Sequence, residues 1–186
     1  MKSPIPAHNA LSLMRFALTP VVGILAWHEG SRPVAVALAV LVGLSDFADG
    51  PLARRSGGAS PFGALLDMTS DKVFLCTMLV VLAALGLAPA WAAALIGARE
   101  LLVLFLRVVA AWRRRPLPIA VFGKLKTFML YLMVPLALAE VPWQAVWFLA
   151  FAATVSACGS LVEYVVKMRA DLLEELSGKP APDRVL

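Results

Sequence analysis

Residues 46–71 read DFADGPLARRSGGASPFGALLDMTSD, and this stretch is the most informative part of the chain because it places four aspartates in or beside two apolar segments. An ionised aspartate at the centre of a membrane helix costs about 2.5–3.5 kcal/mol, so four together require compensating positive charge. Asp46 and Asp49 are three residues apart and Asp67 and Asp71 four apart, so each pair lies on one helical face. The short connection makes the two helices antiparallel neighbours, which brings the four carboxylates together.

This acidic stretch predicts an all-oxygen pocket for hard cations. Carboxylates suit Mg²⁺ or Mn²⁺, and four of them can hold two ions that bridge a phosphate. Gly50 and Gly63 would let a diphosphate approach the backbone, and Arg54 could bind a phosphate through two parallel hydrogen bonds. The implied chemistry is therefore at phosphorus. The alternative is structural, with the aspartates as helix caps or in surface ion pairs with Arg54, Arg55 and Lys72.

The composition places these acids in a membrane protein. Hydrophobic residues make up 61% of the 186-residue chain and charged residues 16%, and the mean hydropathy is +0.83. A soluble bundle would need polar helix faces that the apolar segments lack. Stretches near the roughly 20-residue length of a membrane span occur at 11–27, 33–48, 63–87, 90–111, 119–138 and 143–166. The sequence therefore predicts an all-α membrane protein with six transmembrane helices, in one domain over residues 1–186.

The distribution of charge predicts the orientation of this bundle. Lysine and arginine concentrate in the loops of one side, and only Arg32 falls in the opposite loops, so both termini are expected in the cytoplasm. The first span is expected to remain uncleaved, because Arg15 lies within it and no small-residue cleavage site follows Trp27. Residues 3–14 are expected to form a short N-terminal interfacial segment, and residues 171–186 a polar C-terminal tail.

Other classes of site receive little support from the sequence. Cys76 and Cys158 each lie in an apolar run, which does not suggest a disulfide scaffold. His8 and His28 have no ligand-spaced neighbours, which argues against zinc. The basic residues separate apolar runs and form no aromatic-rich face, so nucleic acid is not a predicted partner. A cation-coupled transporter is the alternative from a different class, since intramembrane acids can mark an ion path.

The spacing of the acidic stretch resembles a known family signature. The pattern D-x-x-D-G-x-x-A-R-x8-G-x3-D-x3-D is that of CDP-alcohol phosphatidyltransferases. Every specified position is matched, at Asp46, Asp49, Gly50, Ala53, Arg54, Gly63, Asp67 and Asp71. The opening NALSLMR at residues 9–15 is also similar to that family. The resemblance implies a homodimeric enzyme of the bacterial cytoplasmic membrane, with its site facing the cytoplasm and CDP-diacylglycerol as donor.

The resemblance also implies a role for each motif residue. Asp46, Asp49 and Asp67 would bind metal, and Asp71 would complete the second metal site and act as general base, with two Mg²⁺ or Mn²⁺ ions as cofactors. The CDP moiety would be held by Asp49, Gly50, Ala53, Arg54 and Gly63. In the implied reaction Asp71 takes the proton of the acceptor hydroxyl as that oxygen attacks the β-phosphorus of the donor, and CMP leaves.

Basic residues later in the chain predict a site for a phosphate on the acceptor alcohol. The predicted ligands are Arg99, Arg107, Lys124 and Lys126, because cations within a span need a cavity or a partner. Glu100 is expected to pair elsewhere in the bundle. For Lys126, anchoring at the membrane surface is an equal alternative.

The acceptor itself is predicted from resemblance to branches of the family. Arg99-Glu100 with a following Leu-Arg, and GKLKT at residues 123–127, resemble the phosphatidylglycerophosphate synthase branch, whose acceptor is sn-glycerol 3-phosphate. Met68 and Leu130 depart from it, because that branch usually has proline and glutamine there. Residues 115–119, RPLPI, resemble the cardiolipin synthase branch. Phosphatidylglycerol is therefore the alternative acceptor.

Overall fold

Six α-helices make up the part of the chain that the structure describes. The computed structural model describes residues 7–55, 61–112 and 121–176, with side chains described in residues 12–46, 69–106 and 122–166. The helices are α1 (Ala7–Trp27), α2 (Arg32–Arg55), α3 (Pro61–Ala84), α4 (Ala90–Trp112), α5 (Val121–Leu138) and α6 (Trp143–Leu176). A 3₁₀ turn, Glu29–Ser31, joins α1 to α2, and these ranges contain no strand. The prediction of an all-α fold is confirmed.

The helix bounds differ from the predicted spans at three places. α1 runs unbroken from Ala7, so residues 7–14 continue the first helix and do not form a separate segment before it. α2 continues to Arg55, so the first half of the acidic stretch is helical. α6 continues to Leu176, because residues 167–176 (KMRADLLEEL) are good helix formers although they are too polar for a span.

Helix α3 packs against three other helices of the bundle. It packs against α1, α4 and α5, while α2 packs against α1 and α5, and α6 against α4 and α5. Phe74, Met78 and Leu82 recur every fourth residue along α3 and are fully buried. This spacing fixes the rotation of α3 and so directs Asp71 and Lys72, one turn earlier, towards neighbouring helices.

The exterior of the bundle is apolar. By length and composition, one helix within the described residues could cross a membrane alone, Trp143–Val166 of 24 residues, and Ser12–Trp27 is a shorter apolar helix. Large apolar side chains face outward, and Leu101 and Phe148 are 70% and 71% exposed. An all-helical bundle with this surface is consistent with a membrane protein. The six-span topology and its orientation stay predictions.

Candidate active site

Three helices meet at the buried guanidinium of Arg15. Arg15 lies on α1 and is fully buried. Its Nη1 donates a hydrogen bond to Oδ1 of Asp71 on α3 and lies 3.7 Å from Oδ1 of Asp46 on α2. Its Nε donates to Oγ of Ser45 at 3.2 Å. We name Arg15, Asp46 and Asp71 the acidic cluster, because two carboxylates share one buried cation there.

The structure brings one aspartate of each predicted pair together. Asp46 and Asp71 reach the same guanidinium from different helices, and their side chains are 23% and 20% exposed. The remaining motif side chains lie outside the described residues, namely Asp49, Gly50, Ala53, Arg54, Gly63 and Asp67. Among the side chains that are described, no three acidic, histidine or cysteine residues form a metal-binding group. The metal and CDP roles of the motif therefore stay predictions.

The sequence suggested three roles for Arg15, as a charge on the cytoplasmic side, as an argument against cleavage of the first span and as part of the family-like opening, but not as a partner of the aspartates. Its contact with Asp71 spans 56 residues. Two signals could have identified it, namely its position inside an apolar run and the requirement of the aspartates for positive charge. The structure shows that Arg15 supplies this charge for Asp46 and Asp71.

A second group of charges begins at the next residue of α3. Glu100 on α4 is buried, and its Oε1 accepts hydrogen bonds from Nη1 of Arg99 at 2.7 Å and from Nζ of Lys126 on α5. Nζ of Lys72 lies 3.7 Å from Glu100 Oε2. Arg99 and Lys126 are only 7% and 4% exposed. In this basic cluster, defined as Lys72, Arg99, Glu100 and Lys126, one carboxylate is shared by three cations.

The guanidinium of Arg99 is held in a fixed orientation by α6. Its Nε and Nη2 donate to Oγ of Ser160 at 3.1 and 2.5 Å. The Ser160 hydroxyl in turn donates to the carbonyl of Ala157 at 2.6 Å. The ring of Tyr164 lies 6.0 Å from the guanidinium carbon, within the range of a cation–π contact. A planar group fixed in this way is preorganised for an oxyanion.

Of the four predicted acceptor ligands, the structure brings Arg99 and Lys126 together. Lys124 is exposed, because residues two apart on a helix face different directions. The side chain of Arg107 lies outside the described residues. The sequence suggested Lys72 only as an ion-pair partner of the aspartates, and its approach to Glu100 was not predicted.

A comparison with known protein families identifies the class to which this bundle belongs. The family model described as CDP-alcohol phosphatidyltransferase matches residues 6–158. This match includes the acidic stretch and all four residues of the basic cluster. The chain belongs to the CDP-alcohol phosphatidyltransferase family, and the family predicted from the aspartate spacing is confirmed.

Curated proteins that are similar to this chain carry three different names. A "Probable phosphatidylglycerophosphate synthase" of Mycobacterium tuberculosis is 39% identical over 125 residues, which cover 64% of this chain and 59% of that relative. The CDP-diacylglycerol–glycerol-3-phosphate 3-phosphatidyltransferase of Bacillus subtilis is 32% identical over 155 residues, 75% of this chain and 80% of that relative. A "Cardiolipin synthase (CMP-forming)" of Streptomyces coelicolor is 34% identical over 138 residues, 70% of this chain and 63% of that relative. One name specifies phosphatidylglycerophosphate synthesis, one specifies phosphatidyl transfer with glycerol 3-phosphate, and one specifies cardiolipin synthesis.

Proposed function

We propose that this protein transfers the phosphatidyl group of CDP-diacylglycerol to sn-glycerol 3-phosphate, giving phosphatidylglycerophosphate and CMP. Family membership and the names of the M. tuberculosis and B. subtilis relatives support this class of reaction. The observation that carries the choice of acceptor is the adjacency of the acidic and basic clusters, which begin at Asp71 and Lys72 of α3. A small acceptor that carries both a reactive hydroxyl and a phosphate fits two such neighbouring sites.

The acidic cluster fits the divalent ions that the family resemblance implies. Asp46 and Asp71 offer hard oxygen ligands from two helices and already converge on one positive group, Arg15. With Asp49 and Asp67 they would hold two Mg²⁺ or Mn²⁺ ions. Bound ions would supply charge neutralisation at the diphosphate of the donor.

The residues of the chain then have distinct tasks in the proposed reaction. Asp71 accepts the proton of the 1-hydroxyl of glycerol 3-phosphate while that oxygen forms a bond to the β-phosphorus and the bond to CMP breaks. Arg54, with Gly50, Ala53 and Gly63 around it, would bind the CDP moiety. Both substrates are thereby oriented for in-line attack at phosphorus.

The basic cluster would bind the phosphate of the acceptor. Arg99 and Lys126 are buried and share a single carboxylate, Glu100, so the cations outnumber the carboxylates. An added anion could therefore accept charge-assisted hydrogen bonds from them. Arg107 and Lys124 would complete the site from the same side of the bundle. A phosphate monoester carries a charge of about −1.5 to −2 at neutral pH, which suits this cluster better than the single charge of a phosphodiester.

The location and assembly of the protein are part of the same proposal. We place it as an integral protein of the bacterial cytoplasmic membrane, with six spans, both termini in the cytoplasm and the site open to that side. The unequal distribution of lysine and arginine and the apolar exterior support this arrangement. A homodimer is proposed from the family resemblance alone.

Cardiolipin synthesis is the second candidate function, with phosphatidylglycerol as acceptor. The S. coelicolor relative carries that name, and residues 115–119 resemble that branch, although they lie outside the described residues. The donor, the aspartates and the departure of CMP would be the same. The two candidates differ in the acceptor group that the basic cluster would bind. Glycerol 3-phosphate carries a phosphate monoester, whereas phosphatidylglycerol carries a phosphodiester.

The experiment that tests the proposal is CMP release by the detergent-purified protein with CDP-diacylglycerol and Mg²⁺ or Mn²⁺. Glycerol 3-phosphate, phosphatidylglycerol, inositol phosphate and serine are compared as acceptors. Release with glycerol 3-phosphate alone is the expected result, and release with phosphatidylglycerol alone would select the second candidate. Absence of release with every acceptor would reject phosphatidyl transfer to these alcohols.

A further inference from the structure

Tyr131 on α5 lies at the acidic cluster, although the reaction proposed above does not use it. The residue is 6% exposed. Its buried hydroxyl forms no hydrogen bond of good geometry with the described residues, although the Asp71 carboxylate is its nearest hydrogen-bonding neighbour. Its strongest electrostatic neighbours are the carboxylates of Asp71 and Asp46, followed by Arg15. Because a phenol donates and a carboxylate accepts, the Tyr131 hydroxyl and the Asp71 carboxylate are complementary groups.

Contacts with α2 and α3 fix the ring of Tyr131. A Cβ atom at Gly43 would lie only 3.4 Å from Cδ1 of Tyr131, so the glycine allows α2 and α5 to approach closely. The ring also stacks on Phe74, with 6.2 Å between ring centroids and 18° between planes. Gly43 precedes Asp46 by three residues and Phe74 follows Asp71 by three, so each contact lies on the helical face of an aspartate. The position of the Tyr131 hydroxyl beside the acidic cluster is therefore fixed by contacts with two helices.

We propose that Tyr131 is a positioning residue for Asp71, whose carboxylate accepts a hydrogen bond from the Tyr131 hydroxyl when the site is loaded with metal. Arg15 holds the same carboxylate from α1, and Tyr131 would hold it from α5. A carboxylate restrained from two helices presents a fixed oxygen to a metal ion and to the acceptor hydroxyl. The effect on turnover rests on the whole proposed reaction, whereas the effect on metal binding rests only on the proposed metal site.

The test compares Tyr131→Phe with wild type and with a matched control, Thr154→Val. The phenylalanine keeps the ring and removes only the hydroxyl. Thr154 also carries a buried hydroxyl, but it donates to the carbonyl of Ala150 in its own helix, at 2.8 Å. Three quantities are measured for each protein: Mn²⁺ affinity without substrate, from the loss of the free-ion EPR signal; kcat and KM for both substrates; and the midpoint of thermal unfolding.

Loss of an outer partner of a metal ligand lowers affinity or activity by roughly 10–100-fold, so Tyr131→Phe is expected to lose at least about tenfold in Mn²⁺ affinity and in kcat. KM for both substrates and the thermal midpoint should stay at their wild-type values, and Thr154→Val should match wild type throughout. A wild-type Mn²⁺ affinity in Tyr131→Phe would overturn the proposal whatever its kcat, as would an equal loss in Thr154→Val. Because Mn²⁺ binding needs no substrate, this arm decides the inference even if the wild type releases no CMP.

Discussion

The acidic and basic clusters share α3 but have opposite ratios of acid to base. In the acidic cluster two carboxylates, Asp46 and Asp71, share the guanidinium of Arg15. In the basic cluster one carboxylate, Glu100, is shared by three cations. The difference is not one of burial alone, because Arg15 and Glu100 are both buried. What separates the clusters is which sign of charge is in the minority.

This difference indicates which ligand each cluster is suited to bind. Buried charge of one sign is costly unless a partner of the other sign compensates it. An excess of carboxylates suits divalent cations, and an excess of cations suits a phosphate. Asp71 and Lys72 are adjacent in sequence, so the two kinds of ligand would meet near one turn of α3. Four predictions test whether the two clusters divide the work in this way.

The largest effect is expected for Asp71→Asn in the acidic cluster. This change removes the proposed base, and a general base contributes about 10²- to 10⁴-fold to rate. CMP release should therefore fall by about that factor. Binding of CDP-diacylglycerol, measured by a shift in thermal midpoint, should largely persist.

Glu29→Gln is the matched control for Asp71→Asn, because it neutralises an exposed acid in the turn between α1 and α2. It should leave the rate of CMP release unchanged. An active Asp71→Asn protein would remove the base assignment and leave Asp71 only as a partner of Arg15.

The next effect is expected for Glu100→Gln in the basic cluster. The change leaves Arg99 and Lys126 buried without their shared carboxylate. Breaking a buried pair costs about 3–5 kcal/mol, which corresponds to a fall of roughly 6–20 °C in thermal midpoint for a chain of this size. Inorganic phosphate should restore more of the midpoint in Glu100→Gln than it adds to the wild type, since an anion replaces the lost charge. An unchanged midpoint without phosphate would contradict the view that Glu100 balances this cluster.

A smaller effect is expected for Lys126→Met, which tests the basic cluster as an acceptor site. A hydrogen bond to a charged group contributes about 1.5–3 kcal/mol, so KM for glycerol 3-phosphate should rise by roughly 10–100-fold. KM for CDP-diacylglycerol should not change. Lys124→Met should raise the acceptor KM less, because Lys124 is exposed whereas Lys126 is 4% exposed.

Arg32→Gln is the control for both lysine variants, because Arg32 pairs with Glu140 away from both clusters. It should leave the acceptor KM unchanged. If Lys126→Met also leaves this KM unchanged, the basic cluster is a structural ion pair and the acceptor phosphate binds elsewhere.

The sequence predicted those features of the bundle that depend on local spacing. Apolar runs indicated all six helices, and the three- and four-residue spacing of the aspartates assigned each pair to a shared helical face. Helices α2 and α6 continue beyond the ends of the predicted spans, because hydropathy indicates the apolar part of a helix and not the residue at which the helix ends. Polar helix formers continued α6 beyond the apolar segment.

The sequence could not predict which helices supply the partners of each charge. The contact of Arg15 with Asp71 and that of Lys126 with Glu100 join residues 56 and 26 positions apart. These contacts depend on the rotation of each helix about its own axis, which the packing of the whole bundle sets. The different exposure of Lys124 and Lys126, by contrast, follows from their two-residue spacing on α5 and could have been predicted from the sequence.

The smallest effect is expected for Arg32→Gln, which breaks an ion pair outside both clusters. Arg32 donates to Oε1 of Glu140, and the two side chains are 14% and 56% exposed. Exposed pairs contribute roughly 0–1 kcal/mol, so the thermal midpoint should fall by no more than about 4 °C. The measurement is thermal unfolding beside Glu100→Gln in the same detergent, with added salt expected to reduce the small difference further. If Arg32→Gln lowers the thermal midpoint as much as Glu100→Gln does, the buried basic cluster contributes no more to stability than an exposed ion pair. The excess of cations in the basic cluster would then no longer indicate a phosphate ligand.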